Sequence, residues 1–152
     1  MNRDESIRFA TKYLEDLLSF FGINVAVWST VEDDVIQLGV PSTSLNSLLI
    51  GRNADNLRAL QHIVSMSLTA RDAELTRVNV DVADYKRQRA DRIEARAEEW
   101  IKKVRETGQP MTLELNPADR RTVHKFAEDY SDIRTYSEGQ GRERHLIIEK
   151  ID

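Results

Sequence analysis

From Asp4 to Phe21 the apolar residues Ile7, Ala10, Leu14, Leu17, Leu18 and Phe21 recur at steps of three and four. They form the stripe of an amphipathic helix, with Gly22 where a C-terminal cap belongs. The period then shortens to two. Ile23 to Ser29 and Val35 to Val40 read as strands, and the polar turn Glu32-Asp33-Asp34 between them makes a hairpin. Beyond Pro41, Ser42-Thr43-Ser44 offer N-caps to a short apolar helix, Leu45 to Ile50, which Gly51 ends. Only Gly51-Arg52-Asn53-Ala54 separates it from a second helix that runs to about Ala70, with Leu57, Leu60, Ile63, Val64 and Leu68 on one face. Arg77 to Val82 alternates three valines with polar residues, as a half-buried strand does. The first half is therefore expected to be αββααβ.

The longest helical pattern follows, from Asp84 to Thr107. Ile93, Ala97, Trp100, Ile101 and Val104 form its stripe, and Gly108 and Pro110 stop it. A strand at Met111 to Leu115 leads into a helix opened by Asn116 as N-cap, Pro117 at the first helical position and Asp119 in the first turn. Two last strands, Ile133 to Ser137 and Arg144 to Ile151, are joined through Gly139-Gln140-Gly141. The fold class is α+β, in two adjoining modules at 1–82 and 84–152.

Composition narrows the chemistry. The chain has 152 residues, 40% of them hydrophobic, and no cysteine, so disulfides, thiol nucleophiles and thiolate metal sites are excluded together. No apolar run is long enough to cross a bilayer and no secretion signal opens the chain, which leads us to expect a cytoplasmic protein. A net charge of −4 argues against indiscriminate coating of nucleic acid, but it leaves room for a local basic site. Residues 84–108 carry eight Lys and Arg against six Asp and Glu, a small surplus expected to lie on a solvated helix face.

Two places carry candidate chemistry. The tight turn Gly51-Arg52-Asn53-Ala54 feeds directly into a helix N-terminus, where backbone N–H groups and the positive end of the helix dipole suit a phosphodiester, and Arg52 adds a charge. Arg120 and His124 stand four residues apart on one helix, so they can address the same phosphate or adjacent ones. Neither feature is specific alone. A structural turn and an ordinary surface helix explain them as well.

The wider pattern is more specific. The αββααβ order, with Leu49-Ile50-Gly51-Arg52 at the turn and Leu57-Arg58-Ala59-Leu60-Gln61 after it, resembles a type II KH domain of the bacterial Jag family, also called KhpB. Asp84-Tyr85-Lys86, Asn116-Pro117-x-x-Arg120-Arg121-x-x-His124, Thr135-Tyr136-Ser137-Glu138-Gly139 and Arg142-x-Arg144 resemble the R3H domain that follows KH in that family. The resemblance implies a KH domain at 1–82, with its three-stranded sheet packed on helices. It implies an R3H domain at 84–152, made of a long helix, three short strands and the motif helix. The small N-terminal Jag domain that many members carry has no counterpart here, which weakens any transfer of membrane-associated partners.

By the same resemblance Gly51, Arg52, Asn53 and Ala54 clamp the backbone of unpaired nucleotides, with Ile50 and Leu57 contributing to a groove for the bases. Ala54 stands where the family has its second glycine; a methyl is acceptable there if Ala54 has helical backbone angles. Arg120, Arg121, His124, Lys125, Arg142 and Arg144 would form the basic face of the second module. The implied partner is single-stranded RNA, with single-stranded DNA through the second module as an alternative, and a small KH-only protein as a further partner. No cofactor, metal or small-molecule substrate is expected. The three histidines, His62, His124 and His145, lie in no metal or triad pattern, so the chain reads as a binding protein. Rival readings are a nuclease using His124 with Glu128 and a protein-interaction scaffold with a degenerate loop.

Overall fold

The computed structural model describes residues 1–151. The chain divides into two compact units, Met1–Lys86 and the residues from Arg87 on. The first contains α1 (Arg3–Ser19), β1 (Trp28–Glu32), β2 (Val35–Val40), α2 (Asn46–Ile50), α3 (Asp55–Ala70) and β3 (Arg77–Val82). Then come α4 (Tyr85–Thr107), β4 (Met111–Leu113), α5 (Pro117–Ala127), β5 (Ile133–Glu138) and β6 (His145–Lys150).

Helix α1 starts with a reciprocal cap. The Glu5 N–H donates to Asn2 Oδ1 and the Asn2 N–H to Glu5 Oε2, both at 2.9 Å. Its inner face carries Ser6, Ala10, Leu14 and Leu18, all buried. Ser6 is tolerated in the core because its hydroxyl donates to Asn2 O at 2.7 Å and accepts from the Leu75 N–H at 3.4 Å. Phe21, expected on this stripe, is 48% exposed, and so at 40% is Ile63 of α3. Together with Leu48, Leu49, Ala59 and Leu60 they line an apolar hollow of about 260 Å³.

The first sheet has the order β1-β2-β3, with β1 antiparallel and β3 parallel to β2. β1 starts at Trp28, five residues later than the alternation from Ile23 suggests. Ile23 and Val27 are buried, but the Val27 N–H is taken by Glu15 Oε2 of α1 at 3.0 Å. The hairpin turns on Asp33 and Asp34 with φ of 50° and 62°, the left-handed pair that a two-residue loop of matching twist needs. Ile36, Leu38, Val40, Val78, Val80 and Val82 face the helices and pack on Leu14, Leu18, Leu57, Val64 and Leu68. On β3 the Val80 N–H donates to Gln61 Oε1 and the Val82 N–H to Asp81 Oδ1, each at 3.0 Å. Gln61 is thereby assigned to the edge of the sheet.

The second sheet has the order β4-β6-β5, antiparallel throughout. Its inner residues Ile133, Leu146 and Ile148 join Ile93, Ala97, Ile101 and Val104 of α4 and Val123 and Ala127 of α5 in a second core. Trp100 stays half-buried at its rim. Asn116 caps α5 through the Asp119 N–H at 2.8 Å, as its sequence predicts. Asp119 then does more than face the helix dipole. It is 4% exposed and receives two guanidinium bonds from Arg89 of α4, at 2.9 and 3.4 Å, which fix the motif helix against the long one.

Candidate nucleic-acid interface

In the first unit the turn between α2 and α3 is held open by Gly51. Its φ of 75° and ψ of 178° belong to a region that only glycine occupies comfortably. A Cβ there would lie 2.7–2.9 Å from the Asn56 side chain, whose amide donates to Leu48 O at 2.7 Å. Arg52 and Asn53 are exposed at the tip. Helix α3 begins without a side-chain cap, so its first turn offers N–H groups to a ligand. Ala54 is not helical in the ordinary sense. Its φ of 61° and ψ of 25° are left-handed, as are those of Asn53 before it. The tolerance expected for a methyl in a right-handed helix does not apply, and the loop holds an alanine where glycine is favoured.

Of the two residues expected to shape a groove, Ile50 is half-buried and packs on the core. Leu57 is 1% exposed and belongs to the core itself, because it is the first inward position of α3. It supports the turn from beneath and presents no face to a base.

In the second unit the structure brings Arg120, His124 and Arg144 together where α5 meets the end of the β5–β6 hairpin. Arg120 Nη1 donates to Leu115 O at 2.7 Å and to Arg144 O at 3.2 Å, so this arginine ties helix to hairpin with part of its fork. Arg144 Nη1 donates to Gly139 O at 2.9 Å across the hairpin end. His124 Nδ1 lies 2.7 Å from Thr135 Oγ1 and Nε2 lies 3.2 Å from Ser137 Oγ. Burial, then the charges of Arg120 and Arg144, push the His124 pKa below its ordinary value, and the ring is neutral near pH 7. Arg121, Lys125 and Arg142 are exposed nearby in sequence, but no bond links them to this cluster.

Thr135 and Ser137 were not candidates on residue type, since single hydroxyls on a strand are common. The usable signal was their spacing of two, which puts both on the strand face turned towards α5. Among the described residues no group of His, Asp or Glu side chains is arranged to hold a metal ion, and no helix is long and apolar enough to cross a membrane.

Residues 91–150, which contain this cluster, match the R3H domain family. The chain is 28% identical to the RNA-binding protein KhpB of Clostridium symbiosum over 144 residues, covering 91% of this chain and 64% of that protein. It is 30% identical to the RNA-binding protein KhpB of Bacillus subtilis over 105 residues, 67% of this chain and 50% of that one. The chain is a KhpB/Jag-type protein. A further KhpB, from Lactiplantibacillus plantarum, is 28% identical over 107 residues and is covered to 33% of its length. The chain thus spans less than two thirds of each of these KhpB relatives. Within the KhpB-type chain, the R3H match places Arg120, His124, Arg144, Thr135 and Ser137 in one recognised module.

Proposed function

We propose that this chain is a non-catalytic, cytoplasmic binder of single-stranded RNA, acting as a post-transcriptional regulator or RNA chaperone, with a KH module at 1–82 and an R3H module at 84–152. The observation that carries the reading is the meeting of Arg120 and Arg144 over a neutral His124 inside the R3H match. Two fixed positive charges and a set of neutral donors suit a phosphodiester. The Gly51-Arg52-Asn53-Ala54 turn supplies a second phosphate contact through its backbone and Arg52. The names of the KhpB relatives support RNA as the ligand class.

A chain of net charge −4 that binds through a few local contacts should show a shallow salt dependence. Log affinity should fall by about 0.7 per phosphate contact for each log unit of salt. The test is fluorescence anisotropy of a 12-nucleotide oligouridylate against salt, for the wild type, an Arg52→Asp, Asn53→Asp variant and an Arg144→Ala variant. Binding that weakens in both variants with a reduced salt slope supports the reading. A flat titration or unchanged affinity in both would sink it. The deoxy counterpart of the same oligonucleotide separates RNA from single-stranded DNA.

A second reading, a protein-interaction scaffold that docks a small KH-only protein, draws on the alanine in the turn and on the exposed Phe21, Leu48 and Ile63. Crosslinking in cells that recovers protein partners but no RNA would favour it.

A further inference from the structure

The two ring nitrogens of His124 are both engaged by hydroxyls, at 2.7 Å to Thr135 and 3.2 Å to Ser137, so the imidazole has no atom left for a phosphate. Arg120 reaches the same place with only Nη1 committed, and among the described residues its Nε and Nη2 donors carry no bond. What faces a ligand is then a set of arginine donors and two hydroxyls on one strand face. We propose that Thr135 and Ser137, with Arg120 and Arg144, are the groups that meet a phosphodiester, and that His124 is a positioning residue acting through those hydroxyls. This deepens the RNA-binding reading and rests on it.

The chemistry follows from counting hydrogens. A neutral imidazole has one N–H and one lone pair. One hydroxyl must therefore donate into the ring, while the other accepts from it and keeps its own O–H for a phosphate oxygen. If the ring takes a proton from solvent, both nitrogens donate, both hydroxyls accept, and both O–H groups turn to the ligand. The charged groups acting on the ring are Arg120 from its own helix and Arg144 from the hairpin, while β5 brings only the hydroxyls. Both arginines oppose protonation in the free protein. A docked phosphate offsets their charge and permits it, so binding and proton uptake are linked. Affinity should rise as pH falls from 8 to 6, through the change from one free hydroxyl donor to two.

The test uses the full chain and a 12-nucleotide oligouridylate at pH 6 and pH 8, with thermal melts to verify that each variant folds. A Thr135→Val, Ser137→Ala variant should lose about tenfold in affinity at pH 6 and less at pH 8, so its pH dependence flattens although His124 is intact. Should the double variant fail to fold, Ser137→Ala alone is read for the same flattening. His124→Gln, whose side-chain amide cannot take up a proton in this range, should show no gain in affinity between pH 8 and pH 6. Residue-resolved titration of the His124 ring by NMR should move to higher pH when the oligonucleotide is added. Unchanged affinity and pH dependence in the hydroxyl variants, with Arg144→Ala still weakened, would overturn the inference and leave RNA binding standing. An unmoved ring titration in the complex would also overturn it. If the wild type fails to bind the oligonucleotide at either pH, the RNA-binding reading fails first.

Discussion

Replacing Ala54 by glycine tests the backbone of the α2–α3 turn by the sign of its effect. In the left-handed conformation seen here, φ 61° and ψ 25°, an L-residue with a Cβ costs about 1–2 kcal/mol that glycine does not. Glycine gives back about 0.4–1 kcal/mol through the greater freedom of its unfolded chain. The half-buried methyl of Ala54, which packs on the first core, is worth a further ~0.4 kcal/mol at about half the value of a fully buried group. The net expectation is stabilisation by about 0.5 kcal/mol or a change near zero. Were Ala54 the first residue of an ordinary right-handed helix, the same substitution would destabilise by about 0.5–1 kcal/mol. The assay follows from the placement of the two tryptophans. Trp28 lies in the first unit and Trp100 in the second, so urea titrations in a Trp100→Phe background report the first unit alone. A loss of about 1 kcal/mol in Ala54→Gly would refute the left-handed assignment and the strain attributed to the loop.

Three other outcomes are expected. Gly51→Ala should destabilise the first unit by about 1–3 kcal/mol, because its backbone angles exclude a side chain and the new Cβ displaces Asn56; the same Trp28 titration measures it. Arg89→Met leaves the Asp119 carboxylate buried without its guanidinium. A fully buried pair would lose about 3–5 kcal/mol, and with the arginine 37% exposed about 2–3 kcal/mol is expected from Trp100 fluorescence in a Trp28→Phe background; no loss would mean the pair is idle. Stability of the second unit should decline as pH falls below about 6.5. His124 has a folded pKa below its unfolded one, so the unfolded chain binds the extra proton in that window, and His124→Gln should remove this part of the slope.

Helix faces and strands were legible wherever one period ran unbroken, as in β3, where Val78, Val80 and Val82 are the buried residues that alternation predicts. The motif helix was equally plain, because Asn116 and Pro117 act locally and need no partner to set the start of α5. Readings failed where a distant side chain decided the matter. Ile23 to Val27 lie outside the sheet, with the Val27 N–H bonded to Glu15 Oε2 of α1, and the Phe21 ring leaves the core stripe for the hollow beside α3. Ser42 to Ser44 do not cap α2, whose N-cap is Leu45, since Asn46 and Thr43 bond one another's neighbourhood instead. For the site, residue type named Arg120 and His124 but not what they touch. That His124 spends both nitrogens on β5 depends on the packing of α5 on the second sheet, which is invisible in a single motif.

Gln61 and Asp81 also limit how this protein can associate. An edge strand with bare N–H groups is a template on which another extended chain can grow. On β3 two successive donors, at Val80 and Val82, are already spent on side-chain oxygens. A peptide that tried to continue the first sheet from this side would find acceptors but no matching donors there, and would have to break both bonds first. Growth of the sheet by strand addition is thereby directed to its opposite border, β1.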